Sequence, residues 1–136
     1  FSLDVNRGEA RFRGRRIVGM PAEALSRVVH DLYNLLGDGA FVILEKLGET
    51  MGKAMRETMG WSSGDEVLKN LPEAAMLAGF GVVKVSGDQL TLENLPVPVD
   101  PAIMKHLEGL LRGLCLEPLE ISAEEERATA KVKVVC

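Results

Sequence analysis

Aromatic side chains supply only 4% of the chain, with one Trp, one Tyr and four Phe. An interior with so few rings has to be filled by Leu, Val, Ala and Met. Cysteine is equally sparse. Cys115 and Cys136 lie too far apart for a CxxC motif and lack the spaced His and Cys companions of a zinc module, so we read them as reduced thiols of a cytoplasmic protein. No apolar run approaches the roughly 20 residues that a membrane-spanning helix needs. The N-terminus has no charged-then-apolar signal pattern, and Phe1 in place of Met suggests a trimmed chain or a piece of a longer one. Positive charge is in deficit: the net charge is −4, which favours solubility and argues against a whole-surface nucleic-acid binder.

What is present is ordinary globular material. With 136 residues, 46% of them hydrophobic and 26% charged, the chain fits one domain with one real core, residues 1 to 136. Glu9 to Val18 reads as a short hairpin turning at Gly14. Behind Pro21, Leu25, Val28, Val29, Leu32, Leu35 and Leu36 repeat at helical spacing, and Gly37-Asp38-Gly39 makes a tight joint in which Asp38 is expected to cap a second helix near residues 38 to 59. That helix opens on Ala40-Phe41-Val42-Ile43-Leu44, a run expected to be buried on every side, and continues with Leu47, Met51, Ala54 and Met55 as its apolar face.

Ser63-Gly64-Asp65-Glu66 forms a capping box for a short helix that Pro72 is expected to break and restart. Two strands follow, Val82 to Val85 and Leu90 to Leu95, joined by Gly87-Asp88. Asp100-Pro101 opens a last helix with Ile103, Leu107, Leu110, Leu111 and Leu114 on one face, and the tail is a strand pair in which Ala128, Ala130, Val132 and Val134 point one way. This order predicts an α+β fold, an antiparallel sheet with helices packed on one face.

Residues that carry chemistry are few. There is no nucleophile elbow, and the glycines fit neither the dinucleotide fingerprint nor the P-loop. His30 and His106 read as surface or cap-like histidines. Glu124-Glu125-Glu126 reads as a solvated turn, because three successive carboxylates cannot converge on one cation. Arg7, Arg11, Arg13, Arg15 and Arg16 crowd into ten positions, but only Phe12 offers a stacking surface there, so nucleic acid is not the expected partner.

The glycines say more. Gly48 and Gly52 lie four apart on the second helix, and Gly109 and Gly113 repeat that spacing on the last one. Each costs about 0.8–1 kcal/mol relative to Ala inside a helix, so packing must offset several kcal/mol in all. Small residues at this spacing let another backbone or a ligand approach closely. Met51, Met55 and Met59 on the same helix would give an adaptable lining to either.

Taken in order, Gly14-Arg15-Arg16-Ile17-Val18, Leu36-Gly37-Asp38-Gly39-Ala40, Leu47-Gly48-Glu49-Thr50-Met51-Gly52, Ala78-Gly79-Phe80-Gly81-Val82 and Leu110-Leu111-Arg112-Gly113-Leu114 resemble the 4-vinyl-reductase domain family, often described as predicted hydrocarbon-binding proteins. The similarity runs from about Gly14 to Cys136. It implies a fold related to the TRAPP core subunits and to haem-dependent nitric-oxide sensor domains, a homodimer formed through helices, and binding of a small apolar ligand without catalysis. Some relatives hold zinc near the C-terminus; here Glu125 and Cys136 match two of those ligands, but Ala128 stands where a third, Cys, is expected, so no metal is expected. Neither histidine sits in an axial-ligand motif, so no haem or other cofactor is expected. The expected ligand-lining residues are Phe41, Gly48, Met51, Gly52, Met55, Trp61 and Phe80. A homodimeric interaction module without a ligand is the alternative, and an enzyme acting on a vinyl or similar group comes last.

Overall fold

The computed structural model describes residues 1–136. A three-stranded antiparallel sheet comes first, made of β1 (Ser2–Asp4), β2 (Glu9–Phe12) and β3 (Arg15–Ile17). Helices α1 (Ala22–Leu36), α2 (Gly39–Met59) and α3 (Gly64–Ala78) follow. Strands β4 (Val82–Ser86) and β5 (Gln89–Glu93) precede α4 (Pro101–Gly113), and β6 (Leu116–Glu124) and β7 (Arg127–Val134) close the chain. The second sheet has the order β4-β5-β7-β6, antiparallel throughout. The α+β architecture expected from the sequence is therefore present, with β1 and the separate first sheet in addition.

One face of the four-stranded sheet is dry. Val83, Leu90, Leu92, Ala128, Ala130 and Val132 alternate inward and meet Val67, Leu71 and Ala75 of α3 and Leu107, Leu111 and Leu114 of α4, with Trp61 at the same core. Lys131 and Lys133 point to solvent, the alternation read from the tail. A smaller core joins Val29 of α1, Ala40 and Leu44 of α2, and Val97, Ala102 and Ile103 at the start of α4.

Helix α4 is sandwiched between the sheet and α2, and the α2–α4 contact is made by glycine. A Cβ on Gly48 would lie 2.1 Å from the His106 carbonyl oxygen, and one on Gly52 2.3 Å from that of Leu110. Reciprocally, a Cβ on Gly109 would lie 2.0 Å from the Glu45 carbonyl oxygen, and one on Gly113 2.2 Å from that of Glu49. The two backbones thus touch along two turns, which is what offsets the helical cost of four glycines. Arg112 of α4 adds ion pairs to Glu45 of α2 and Glu117 of β6 at the rim.

Several expectations need correction. The run Ala40 to Leu44 is not buried all round: Ala40 and Leu44 are fully covered, while Val42 is 73% and Ile43 46% exposed, because α1 and α4 cover only one side of α2 there. Asp38 makes no side-chain cap; backbone bonds from Ala40 to the Gly37 carbonyl and from Phe41 to that of Asp38 close the joint instead. Pro72 does not break α3, which runs through it; a proline removes only one donor, and Leu71, Ala74 and Ala75 anchor the helix on either side of it.

His106 is buried rather than superficial, since α4 has neighbours on both sides; its Nδ1 pairs with the Leu44 carbonyl at 3.3 Å. His30 is half-exposed and paired to Asp100, whose other carboxylate oxygen accepts from the Ile103 N–H at 2.9 Å to cap α4.

The cysteines are not free thiols. Cys115, in the tight turn between α4 and β6, is disulfide-bonded to Cys136, with a Cα separation of 5.4 Å. The bond draws the chain end back to the start of α3, where the Gly64 N–H donates to the Cys136 carbonyl at 2.6 Å. Glu125, at the β6–β7 turn, lies at the far end of β7 from Cys136, so the two residues that matched zinc ligands do not converge.

Candidate functional site

The apolar concavity of this molecule is a half-open cleft of about 340 Å³ between the first sheet and the C-terminal ends of α2 and α3. Phe1, Phe12 and Ile17 come from the sheet side, Ala54, Met55, Thr58 and Met59 from α2, and Ala74, Leu77 and Ala78 from α3. Thr58 supplies the one polar side chain among these ten residues. The other sizeable concavities are predominantly polar: one lies over the outer face of the four-stranded sheet around Gln89, Glu120 and Lys131, and another beside Asn94 and Glu126.

Strand register explains the apolar wall. In the β2–β3 pair, Ala10 faces Ile17 and Phe12 faces Arg15, so these four share one face, while Arg11 and Arg16 share the other. The apolar face covers the cleft; on the charged face Arg7, Arg11 and Arg16 converge on the carboxylate of Glu9 at 3.2–3.6 Å. The two-residue turn Arg13-Gly14 has φ of 50° and 78°, the left-handed pair that a tight hairpin demands. Arg13 Nη1 donates to the Met59 carbonyl at 2.9 Å, which fastens the hairpin to the C-terminal end of α2.

The helix wall follows from α2's own periodicity. Ala40, Leu44, Gly48 and Gly52 form one line at i+4 spacing, the buried one. Ile43, Leu47, Met51, Met55 and Met59 form the neighbouring line, about 100° round the helix. Its last two members lie under the first sheet; Ile43, Leu47 and Met51 are exposed.

Of the seven residues expected to line a pocket, Met55 alone lines this cleft. Gly48 and Gly52 have no room for a ligand, because the backbone of α4 fills the space beside them. Phe41 stacks on Tyr33 of α1, with centroids 5.3 Å apart, and packs on the smaller core. Trp61 and Phe80 belong to the main core or its edge, and Met51 is exposed on the open part of its line. The expected seven are thus not brought together. Phe12, Ile17, Met59 and Leu77 were not among them. Alternation along the hairpin and the Met55 and Met59 spacing are the signals for Phe12, Ile17 and Met59; Leu77, on α3, has none.

The titration of one group is shifted. Burial pushes the His106 imidazole below its ordinary value of 6.5, against an opposing contribution from its bond to the Leu44 carbonyl. It lies at the α2–α4 contact, away from the cleft, and holds that contact as a neutral ring. No protein-family model matches the chain, and none of the curated proteins is similar to it.

Proposed function

We propose that this protein binds a small apolar molecule, without catalysis, in the cleft between the first sheet, α2 and α3. The observation that carries this reading is the lining: nine of its ten residues are hydrophobic, around a volume of about 340 Å³, within the range of small-molecule pockets. The adaptable Met55 and Met59 side chains and a covering sheet fastened through Arg13 suit a site that opens and refills. The resemblance to the 4-vinyl-reductase domain family agrees with this reading, although the pocket lies at a different place on α2 from the glycines that suggested it. A cytoplasmic setting belongs to the same reading, and it asks that the Cys115–Cys136 bond resist thiol reductants, as structural disulfides of low potential do. No helix is long and apolar enough to cross a membrane.

The test is titration with a neutral apolar dye such as Nile Red. Saturable binding of one dye per chain is expected, and it should be lost on Ala54→Phe, which fills the cleft from an exposed position on α2. Absence of saturable binding, or binding unchanged in A54F, contradicts the reading.

A second reading has its own observation. The α2 line is covered only over Met55 and Met59; Ile43, Leu47 and Met51 continue it into solvent, and α1, packed on α2, also exposes Val28, Leu35 and Leu36. Exposed apolar residues concentrated on two adjacent helices are what an interface would use. A homodimer formed through α1 and α2 fits it, and sedimentation equilibrium distinguishes a dimer from a monomer directly.

A further inference from the structure

The first sheet concentrates positive charge on a chain that is negative overall. Residues 1 to 20 carry five arginines, Arg7, Arg11, Arg13, Arg15 and Arg16, against two carboxylates, Asp4 and Glu9. Four of the five guanidinium groups are engaged: those of Arg7, Arg11 and Arg16 with Glu9, and that of Arg13 with the Met59 carbonyl. Arg15 makes no ion pair or side-chain hydrogen bond and is exposed.

Its place in the sheet gives this free charge a use. Arg15 is the cross-strand partner of Phe12 and lies two residues from Ile17 on the same strand face, and both of those residues line the cleft. Arg15 is not itself one of the ten lining residues; it is exposed next to two of them, and no carboxylate lines the cleft. A guanidinium with no partner of its own is free to pair with a planar carboxylate in two parallel hydrogen bonds.

We propose that the occupant of the cleft is an amphipathic monoanion, with its apolar body against Met55, Met59 and Leu77 and its carboxylate on the guanidinium of Arg15. This rests on the reading that the cleft binds a ligand and goes beyond it by naming the ligand class. The volume of about 340 Å³ takes roughly eleven water-sized heavy atoms, the scale of a medium-chain or aromatic carboxylic acid. Thr58 is the one lining side chain able to hydrogen-bond a further polar group.

The experiment compares decanoate with decanol, which share a chain length and differ in the charge of the head, by calorimetric titration below their aggregation limits. The proteins are the unaltered chain, Arg15→Gln, and Arg7→Gln as a control in the β1–β2 turn, whose guanidinium pairs with Glu9 away from the cleft, with thermal melts confirming that each is folded. Decanoate is expected to bind the unaltered protein about tenfold more tightly than decanol. R15Q should lose about tenfold in decanoate affinity and leave decanol binding unchanged, and R7Q should change neither by more than about twofold. Equal binding of the two by the unaltered protein, unchanged decanoate binding in R15Q, or an equal loss in R7Q overturns the assignment of the carboxylate to Arg15 while leaving an apolar site intact. If neither molecule binds and Nile Red does not bind either, the cleft reading itself fails, and this proposal with it.

Discussion

Gly109 and Gly39 are chemically the same residue in two helices and should respond oppositely to the same substitution. Alanine at Gly109 would place a methyl 2.0 Å from the Glu45 carbonyl oxygen, on backbone that cannot turn aside. The gain in helix propensity of about 1 kcal/mol is then outweighed by overpacking, and Gly109→Ala should lower stability by about 3 kcal/mol net, measured by urea unfolding. At Gly39 the nearest atom is the Leu36 Cβ at 4.0 Å, so Gly39→Ala should raise stability by about 0.5 kcal/mol. His106 offers a second residue-level test. Its folded-state pKa lies below the unfolded value of 6.5, so the unfolded chain takes up the proton first. The stability conferred by the neutral ring is full above about pH 6.5 and is lost as the pH falls from there through the lower folded-state value. Unfolding curves between pH 7.5 and pH 5 should show that loss, and His106→Gln should flatten it. A slope unchanged in H106Q would assign the acid sensitivity to other groups.

At the level of elements, the periodicities were readable from the sequence because each helix and strand carries a repeat matched to its own geometry. The β7 alternation of Ala128, Ala130 and Val132 and the Asp100-Pro101 start of α4 appear as expected. What could not be read was which side of α2 meets which neighbour. The glycine spacing points to a close approach of backbone or ligand without saying which, while Ile43, Leu47 and Met51 are as hydrophobic as a core line; α4 seated on Gly48 and Gly52 makes the glycines the buried line and leaves the other in solvent. The candidate site was hidden for the same reason. It is assembled from three elements distant in sequence, so Met55 was visible as a candidate while its partners Phe12 and Leu77 were not. The disulfide was unreadable because a spacing of 21 residues has no local signature; the α4–β6 turn and the return of β7 bring the two sulfurs together. It closes a loop whose constraint is worth about 3 kcal/mol in the chain-entropy picture. The paired substitution Cys115→Ala with Cys136→Ala should therefore lower the melting temperature by roughly 10 °C, and an unchanged melt would show that the bond contributes no stability.

At the scale of the whole molecule, two layers divide the work. The four-stranded sheet with α3 and α4 holds the main core, and α2 is joined to it by the glycine contact. The first sheet then lies over what α2 and α3 leave uncovered, held by the Arg13 bond and by Phe12 and Ile17. Ligand exchange should accordingly disturb the first sheet and the ends of α2 and α3 and leave the core in place. The chain's six methionines make this measurable in one spectrum of methyl-labelled protein. On titration with decanol or decanoate, the Met55 and Met59 methyl signals should shift saturably while that of Met104, in the core-side helix, stays, and A54F should abolish the shifts. Signals of Met55 and Met59 that do not move, or a response centred on Met104 in the core-side helix, would contradict the account.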